Sequence, residues 1–107
     1  MIERLPYTAV TSSGNAYDIR FPLHPETRSP ERVSHLISST LEAISRDLES
    51  GSSISDGDVL QALSMALAIR ARLVDASPGA SLRLMHELVD SAFAAALEAR
   101  CYRAGRA

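Results

Sequence analysis

Residues 55–75 are the segment that most constrains how this chain can fold. The stretch Ser55-Asp56-Gly57-Asp58 is typical of a helix-capping box, with Asp in the place of the usual Glu, and the apolar pattern predicts a helix over residues 55–75. Its polar residues occupy one narrow strip, which consists of Asp58, Gln61, Ser64, Arg72 and Asp75. Nearly all other residues are Leu, Ile, Val, Met or Ala. A helix that is apolar over most of its circumference has to be covered from more than one side. We therefore expect it to be the central helix of the fold.

A first helix is predicted over residues 29–50. Ser29-Pro30-Glu31 is typical of a helix start, because serine caps the first turn, proline suits the first position and an acid suits the first turn. Apolar residues then recur at steps of three and four, which places them in one stripe. Gly51 is the expected terminator.

A third helix is predicted over residues 78–102, followed by a basic tail at 103–107. Leu82 is an alternative start, because a serine that could cap a helix precedes both Pro78 and Leu82. Alanines are frequent in the second and third helices, and small side chains let helix axes approach closely. These two helices are therefore expected to pack as a tight antiparallel pair.

The N-terminal residues 5–23 predict a β-hairpin, since apolar and polar residues alternate on both sides of a Ser-Ser-Gly-Asn segment. A three-residue loop over residues 13–15 would pair Tyr7 with Phe21 and give one apolar, aromatic face. A two-residue turn would place these aromatic side chains on opposite faces. We prefer the three-residue loop, because register follows the buried face.

The predicted fold class is α+β, mainly α: an N-terminal β-hairpin followed by three α-helices packed as a small bundle. A chain of 107 residues has the size of a single domain, here residues 1–107. An isolated hairpin is marginally stable in water, and the second helix has more apolar surface than two neighbouring helices can cover. A homodimer would support the hairpin and cover the remaining apolar surface of the second helix. A homo-oligomer, most simply a dimer, is therefore the expected state.

Composition narrows the classes of function. The formal charge of −2 argues against nucleic acid as the partner. All eleven basic residues are arginine, which together with frequent alanine indicates a GC-rich bacterial genome. Cys101 is the only cysteine, so no disulfide framework is expected. No apolar run reaches the length of a membrane span, and the expected location is the cytoplasm.

His86 and Asp90 form the string closest to a metal motif. They stand one helical turn apart in "HELVD", which begins like a helical zinc site. The second histidine and the third ligand of such a site are missing, so the pair is expected to be solvated. We assign no metal and no cofactor, and the charged or polar residues provide no catalytic motif.

Two further residues are candidates for ligand or interface contacts. His24 lies between two prolines, and the restriction that proline imposes on its predecessor is expected to hold this side chain outward on a stiff connector. Arg70 falls within the apolar arc of the second helix, where a charge has to reach solvent, pair with an acid or meet a partner. Arg70 is the preferred single candidate.

The leading hypothesis for function is a non-enzymatic protein-interaction or regulatory module that acts as a homodimer. One alternative is a small-ligand-binding protein or enzyme with a pocket between the hairpin and the helices. The other is a nucleic-acid-binding regulator, which would need a continuous positive patch.

Overall fold

The computed structural model describes residues 3–51 and 53–103 of the chain. Its fold is α+β and mainly α, which confirms the predicted class. In chain order the elements are β1 (Arg4–Val10), β2 (Asn15–Pro22), α1 (Pro30–Glu49), α2 (Asp56–Arg72), α3 (Pro78–Leu97) and β3 (Arg100–Arg103). The three strands form one antiparallel sheet in the order β1-β2-β3.

The helix starts follow the predicted capping chemistry. At α2 the Asp58 N–H donates to Ser55 Oγ at 3.1 Å, while the Ser55 N–H donates to Asp58 Oδ2 at 3.2 Å. Both donors are among those that a helix N-terminus leaves unpaired, so the reciprocal bonds fix the start of α2. Ser29 caps α1 by accepting the Arg32 N–H at 3.3 Å. Of the two possible starts of α3 the earlier is observed, at Pro78.

The end of the third helix is where the sequence-based prediction is wrong. α3 ends at Leu97, not at residue 102, and Arg100–Arg103 forms a strand instead. Local composition favours continuing the helix, but pairing of β3 with β2 supplies the backbone hydrogen bonds that the edge of a two-stranded hairpin lacks. Of the predicted basic tail, residue 103 belongs to β3, and residues 104–107 lie outside the described residues. α2 also ends earlier than predicted, at Arg72.

The hairpin loop has the predicted three-residue length but lies one residue earlier, over residues 12–14. The Thr11 N–H donates to the Asn15 carbonyl at 2.8 Å and the Gly14 N–H to the Thr11 carbonyl at 3.0 Å, which close the loop. Gly14 has φ +92°, and the last position of this loop type is left-handed. The glycine therefore decides the register, because Asn15 would occupy that position in the predicted loop.

This change moves the strand pairing by two residues, so Tyr7 pairs with Ile19 and not with Phe21. Side chains alternate with a period of two, and a shift of two leaves each on its original face. The predicted apolar face therefore survives, with Leu5 and Ile19 buried and Tyr7 and Phe21 half-buried on it.

Contacts divide the chain into two compact units. The described residues 3–34 and 86–103 belong to the first, which is called the sheet unit, and the described residues 35–51 and 53–85 belong to the second, which is called the helical unit. α1 and α3 each contribute residues to both units. Of the described residues four are buried, all of them in the sheet unit: Leu5, Ala16, Ile19 and Ala95.

The helical unit lacks a comparable core, since none of its described residues, 35–51 and 53–85, is buried. α2 is therefore not the covered central helix that its composition predicts. Ala62, Ala66 and Ala68 of α2 are exposed as well. In the described part of this unit, few Cα atoms of α1 and α2 come close to one another.

Candidate functional site

One face of α2 presents a row of leucines to solvent. Leu60 is 65%, Leu67 42% and Leu63 37% exposed. Their spacing of three and four residues places them on one side of the helix, and we call these three residues the α2 leucine face. Contiguous exposed apolar surface of this kind marks interaction sites on folded proteins.

The α2 leucine face has a charge at each end. Asp56 precedes Leu63 by seven residues, and Arg70 follows it by seven. Seven residues are nearly two helical turns, so both charges lie on the side of the helix that carries Leu63. Arg70 is exposed, and none of the described residues accepts a hydrogen bond or ion pair from its guanidinium group.

A groove of about 270 Å³ lies beside this face, between α1 and α2. Its walls are mainly apolar, and two acidic residues, Asp47 and Asp58, contribute to its lining. The apolar walls come from Ile44, Leu48, Ile54, Val59, Ala62, Leu63 and Ala66. Leu63 therefore belongs to both the groove and the leucine face, which makes the apolar surface of α2 continuous.

The other predicted site residues lie in the sheet unit. His24 is half-buried, and its Nδ1 accepts the Glu26 N–H at 3.1 Å while its carbonyl accepts the Thr27 N–H. That side chain holds a turn in the connector between β2 and α1. His86 and Asp90 are exposed on α3. Within the described part of the chain, no hydrogen bond or ion pair joins any two of these predicted residues.

A polar cluster on one face of the sheet was missed from the sequence. The Thr8 hydroxyl and the Tyr102 hydroxyl both donate to Asp18 Oδ1, at 2.8 Å and 3.1 Å. The hydrogen bond to Asp18, with desolvation and the negative charge of Asp18 adding to it, raises the pKa of Tyr102 above its ordinary value, and Arg100 partly offsets this rise. These three side chains join all three strands across one face.

Tyr17 and Cys101 face each other on the opposite side of the same sheet. A hydrogen bond with Cys101 raises the pKa of the Tyr17 hydroxyl, and the charge of Cys101 and desolvation act in the same direction. Both this pair and the Asp18 cluster depend on β3. Tyr102 is a residue type that favours strands, but a four-residue segment is too short to outweigh the preceding helical pattern.

Three arginines line a cavity of about 520 Å³ in the sheet unit. Arg4, Arg20 and Arg100 come from β1, β2 and β3, respectively. Asp18 and Glu98 also line the cavity, and two small residues from the end of α3 and the segment after it, Ala95 and Ala99, complete it. Sequence reasoning did not identify these arginines, because their convergence depends on the pairing of β2 with β3.

The described residues contain no group of three or more His, Cys, Asp or Glu side chains that could hold a metal ion. Across the same residues, no helix combines the length and the apolar character needed to cross a membrane.

Comparisons of this chain with protein-family models, with curated proteins and with solved structures found no match.

Proposed function

We propose that this protein is a non-enzymatic protein-interaction module that acts as a homodimer in the cytoplasm of a bacterium. The observation that carries the proposal is the exposure of the α2 leucine face in a unit of which no described residue is buried. The bacterial origin rests on the arginine-only basic composition. A protein-interaction role and a homodimeric state do not require a catalytic residue.

The energetic argument concerns the cost of leaving these side chains in water. Fully burying a leucine side chain is worth about 1.5–3 kcal/mol, and the net stability of a whole domain is only about 5–15 kcal/mol. Leu60, Leu63 and Leu67 together represent a substantial fraction of that stability. Since none of the described residues of the helical unit is buried, this unit gains that free energy only when a second surface covers α2.

A second copy of the same helix is a suitable cover, because α2 is self-complementary in the antiparallel direction. With a two-fold axis passing near Leu63, Asp56 of one chain lies opposite Arg70 of the other, and the reverse pair forms by symmetry. The leucines meet between these two ion pairs. Arg70, the residue that interrupts the apolar arc, then has an acidic partner at the edge of the interface.

Sedimentation equilibrium of the full chain tests the oligomeric state. We expect a dimer at micromolar concentration, with reversible dissociation on dilution. A monomer throughout the micromolar range would overturn the homodimer.

Charge reversal tests the antiparallel geometry. Arg70→Glu and Asp56→Arg should each weaken the dimer about tenfold, since two symmetric attractions of up to about 1 kcal/mol become repulsions. The double variant carrying both changes restores opposite charges and should recover much of the lost affinity. Arg72→Glu is the matched control, because it makes the same charge change on the polar strip of the same last turn.

Equal effects of Arg70→Glu and Arg72→Glu, or no recovery in the double variant, would contradict the antiparallel pairing. A dimer that persists unchanged in every variant would place the interface on another surface.

A further inference from the structure

The three arginines of the sheet unit lie on one face and form a diagonal line across it. Pro6 pairs with Arg20, so Arg4 on β1 is a diagonal neighbour of Arg20 on β2. Asp18 pairs with Arg100, so Arg100 on β3 is a diagonal neighbour of Arg20 from the other side. Diagonal neighbours on a sheet are about 7–8 Å apart, within reach of long side chains. The register therefore gathers three cations that are distant in sequence.

These guanidinium groups keep most of their hydrogen-bonding capacity free. Arg4 Nη1 donates to the Arg20 carbonyl at 3.0 Å, which uses one of the five N–H donors of that group and holds it beside β2. None of the described residues accepts a hydrogen bond or ion pair from the side chains of Arg20 and Arg100. Three neighbouring cations that form no ion pair with a described acidic side chain are a favourable setting for an anion.

The cavity beside them has the size of a small-molecule site. Its volume of about 520 Å³ falls within the common range of about 300–1,000 Å³ for ligand pockets. Ala95 is buried in its wall, and Ala99 is half-buried. Three arginines against Asp18 and Glu98 leave the lining with a net charge of +1, although the whole chain carries −2.

We propose that this cavity binds the phosphate group of a small phosphomonoester that also carries hydroxyl groups. A carboxylate is planar and is satisfied by one arginine, whereas a phosphate offers oxygens in several directions and suits donors from three strands. The volume exceeds that of phosphate alone, so the remaining space accommodates the rest of the ligand. The carboxylates of Asp18 and Glu98 are acceptors for its hydroxyl groups.

The negative charge of Asp18 is expected to lower the affinity of this site for anions. Thr8 and Tyr102 hold its carboxylate in place through Oδ1. A negative charge in the lining repels a phosphate, so neutralising it should strengthen binding. The side chain of asparagine has a carbonyl oxygen that can accept the same two hydrogen bonds. The Asp18→Asn variant therefore changes the charge while retaining the local geometry.

The test is calorimetric titration of the full chain with glycerol 3-phosphate, with inorganic phosphate and glycerol as separate probes at constant ionic strength. Glycerol 3-phosphate should bind saturably, inorganic phosphate more weakly, and glycerol not at all. Arg20→Gln and Arg100→Gln should each weaken phosphate-dependent binding at least about tenfold, as expected for loss of a charge-assisted contact. Asp18→Asn should strengthen it severalfold. Circular dichroism checks that each variant is folded.

Arg46→Gln is the matched control, because it removes one arginine charge from the exposed surface of the helical unit. Equal weakening by this control would reduce the effect to bulk electrostatics and overturn the site. The absence of saturable binding to the folded wild-type chain at millimolar glycerol 3-phosphate would also overturn it. Because the cavity lies wholly in the sheet unit, these outcomes are independent of the oligomeric state.

Discussion

The sheet unit and the helical unit differ in how each is stabilised. The sheet unit has three hydrogen-bonded strands and contains all four buried residues of the described chain. The helical unit has well-capped helices, yet none of its described residues is buried. In the helical unit, well-capped helices thus occur together with an incomplete core.

This contrast shows that helix formation and helix coverage are separate problems. Caps and periodicity determine where a helix begins and which side is apolar, but most helical stability in proteins comes from packing of the apolar face. The sheet unit solves that problem within one chain. The proposed homodimer would solve it for the helical unit with a second chain, and the following variants test this difference.

The largest expected effect comes from placing a charge at the centre of the α2 leucine face. Leu63→Asp should weaken the dimer at least about a hundredfold, since an unpaired charge at an interface centre costs several kcal/mol. The helical signal in circular dichroism should fall as well, because none of the described residues of the helical unit is buried in the single chain. Ala68→Asp, on the exposed polar strip of α2, is the control and should leave the dimer intact. A Leu63→Asp dimer of wild-type affinity would contradict the proposed interface.

A smaller effect is expected from opening the core of the sheet unit. Ile19→Ala should lower the free energy of unfolding by about 2–4 kcal/mol, through lost burial and a residual cavity. Tyrosine fluorescence during urea unfolding reports on this unit, because the chain has no tryptophan and Tyr7, Tyr17 and Tyr102 all lie on its strands. The comparison variant Leu60→Ala, on exposed α2, should leave that transition unchanged. Equal shifts in both variants would remove the energetic distinction between the units.

The hairpin loop provides a test in which the expected change in the free energy of unfolding is about 1 kcal/mol. Gly14→Ala should lower the free energy of unfolding by about this amount, because alanine is strained at φ +92°. An added Cβ would meet nothing within 4 Å, so the backbone alone accounts for the cost. Gly57→Ala, within α2, should have the opposite sign, since alanine is the better helix former. A stabilising Gly14→Ala change would contradict the loop at residues 12–14.

The smallest effect concerns Tyr102 at high pH. Its pKa is raised above the ordinary value of 10.0 by the hydrogen bond to Asp18. The folded state therefore retains this proton longer than the unfolded state, and the resulting stabilisation is present below pH 10.0 and declines as pH rises through the folded pKa. Tyr102→Phe should reduce this alkaline loss of stability in urea titrations. An unchanged pH slope in that variant would contradict the Tyr102–Asp18 hydrogen bond.

The sequence predicts most helix starts in this protein because capping is local. Ser29 and the Ser55–Asp58 pair lie next to the backbone groups that they satisfy, so their roles can be deduced from a few residues. The hairpin was also predictable in type, but its register depended on which residue occupied the left-handed loop position. Gly14 occupies it, and placing Asn15 there shifts every pair by two residues.

The candidate sites were predictable to different degrees. Arg70 stands out from sequence because a charge interrupts an apolar arc, and the regular helix alone relates it to Asp56 and Leu63. The arginine cavity could not be derived in this way, because Arg4 and Arg20 meet Arg100 only through a strand that the local pattern assigns to a helix.

The sequence by itself determined the α+β class, the order of hairpin and helices, the capped helix starts and the apolar surplus of α2. These properties arise from interactions within a few residues and from side-chain periodicity. Only the tertiary structure decided that the chain returns to the sheet as β3 and that the buried residues of the described chain lie in the sheet unit. Both depend on contacts between residues distant in sequence, where pairing with β2 outweighs the local preference of Arg100–Arg103 for helix.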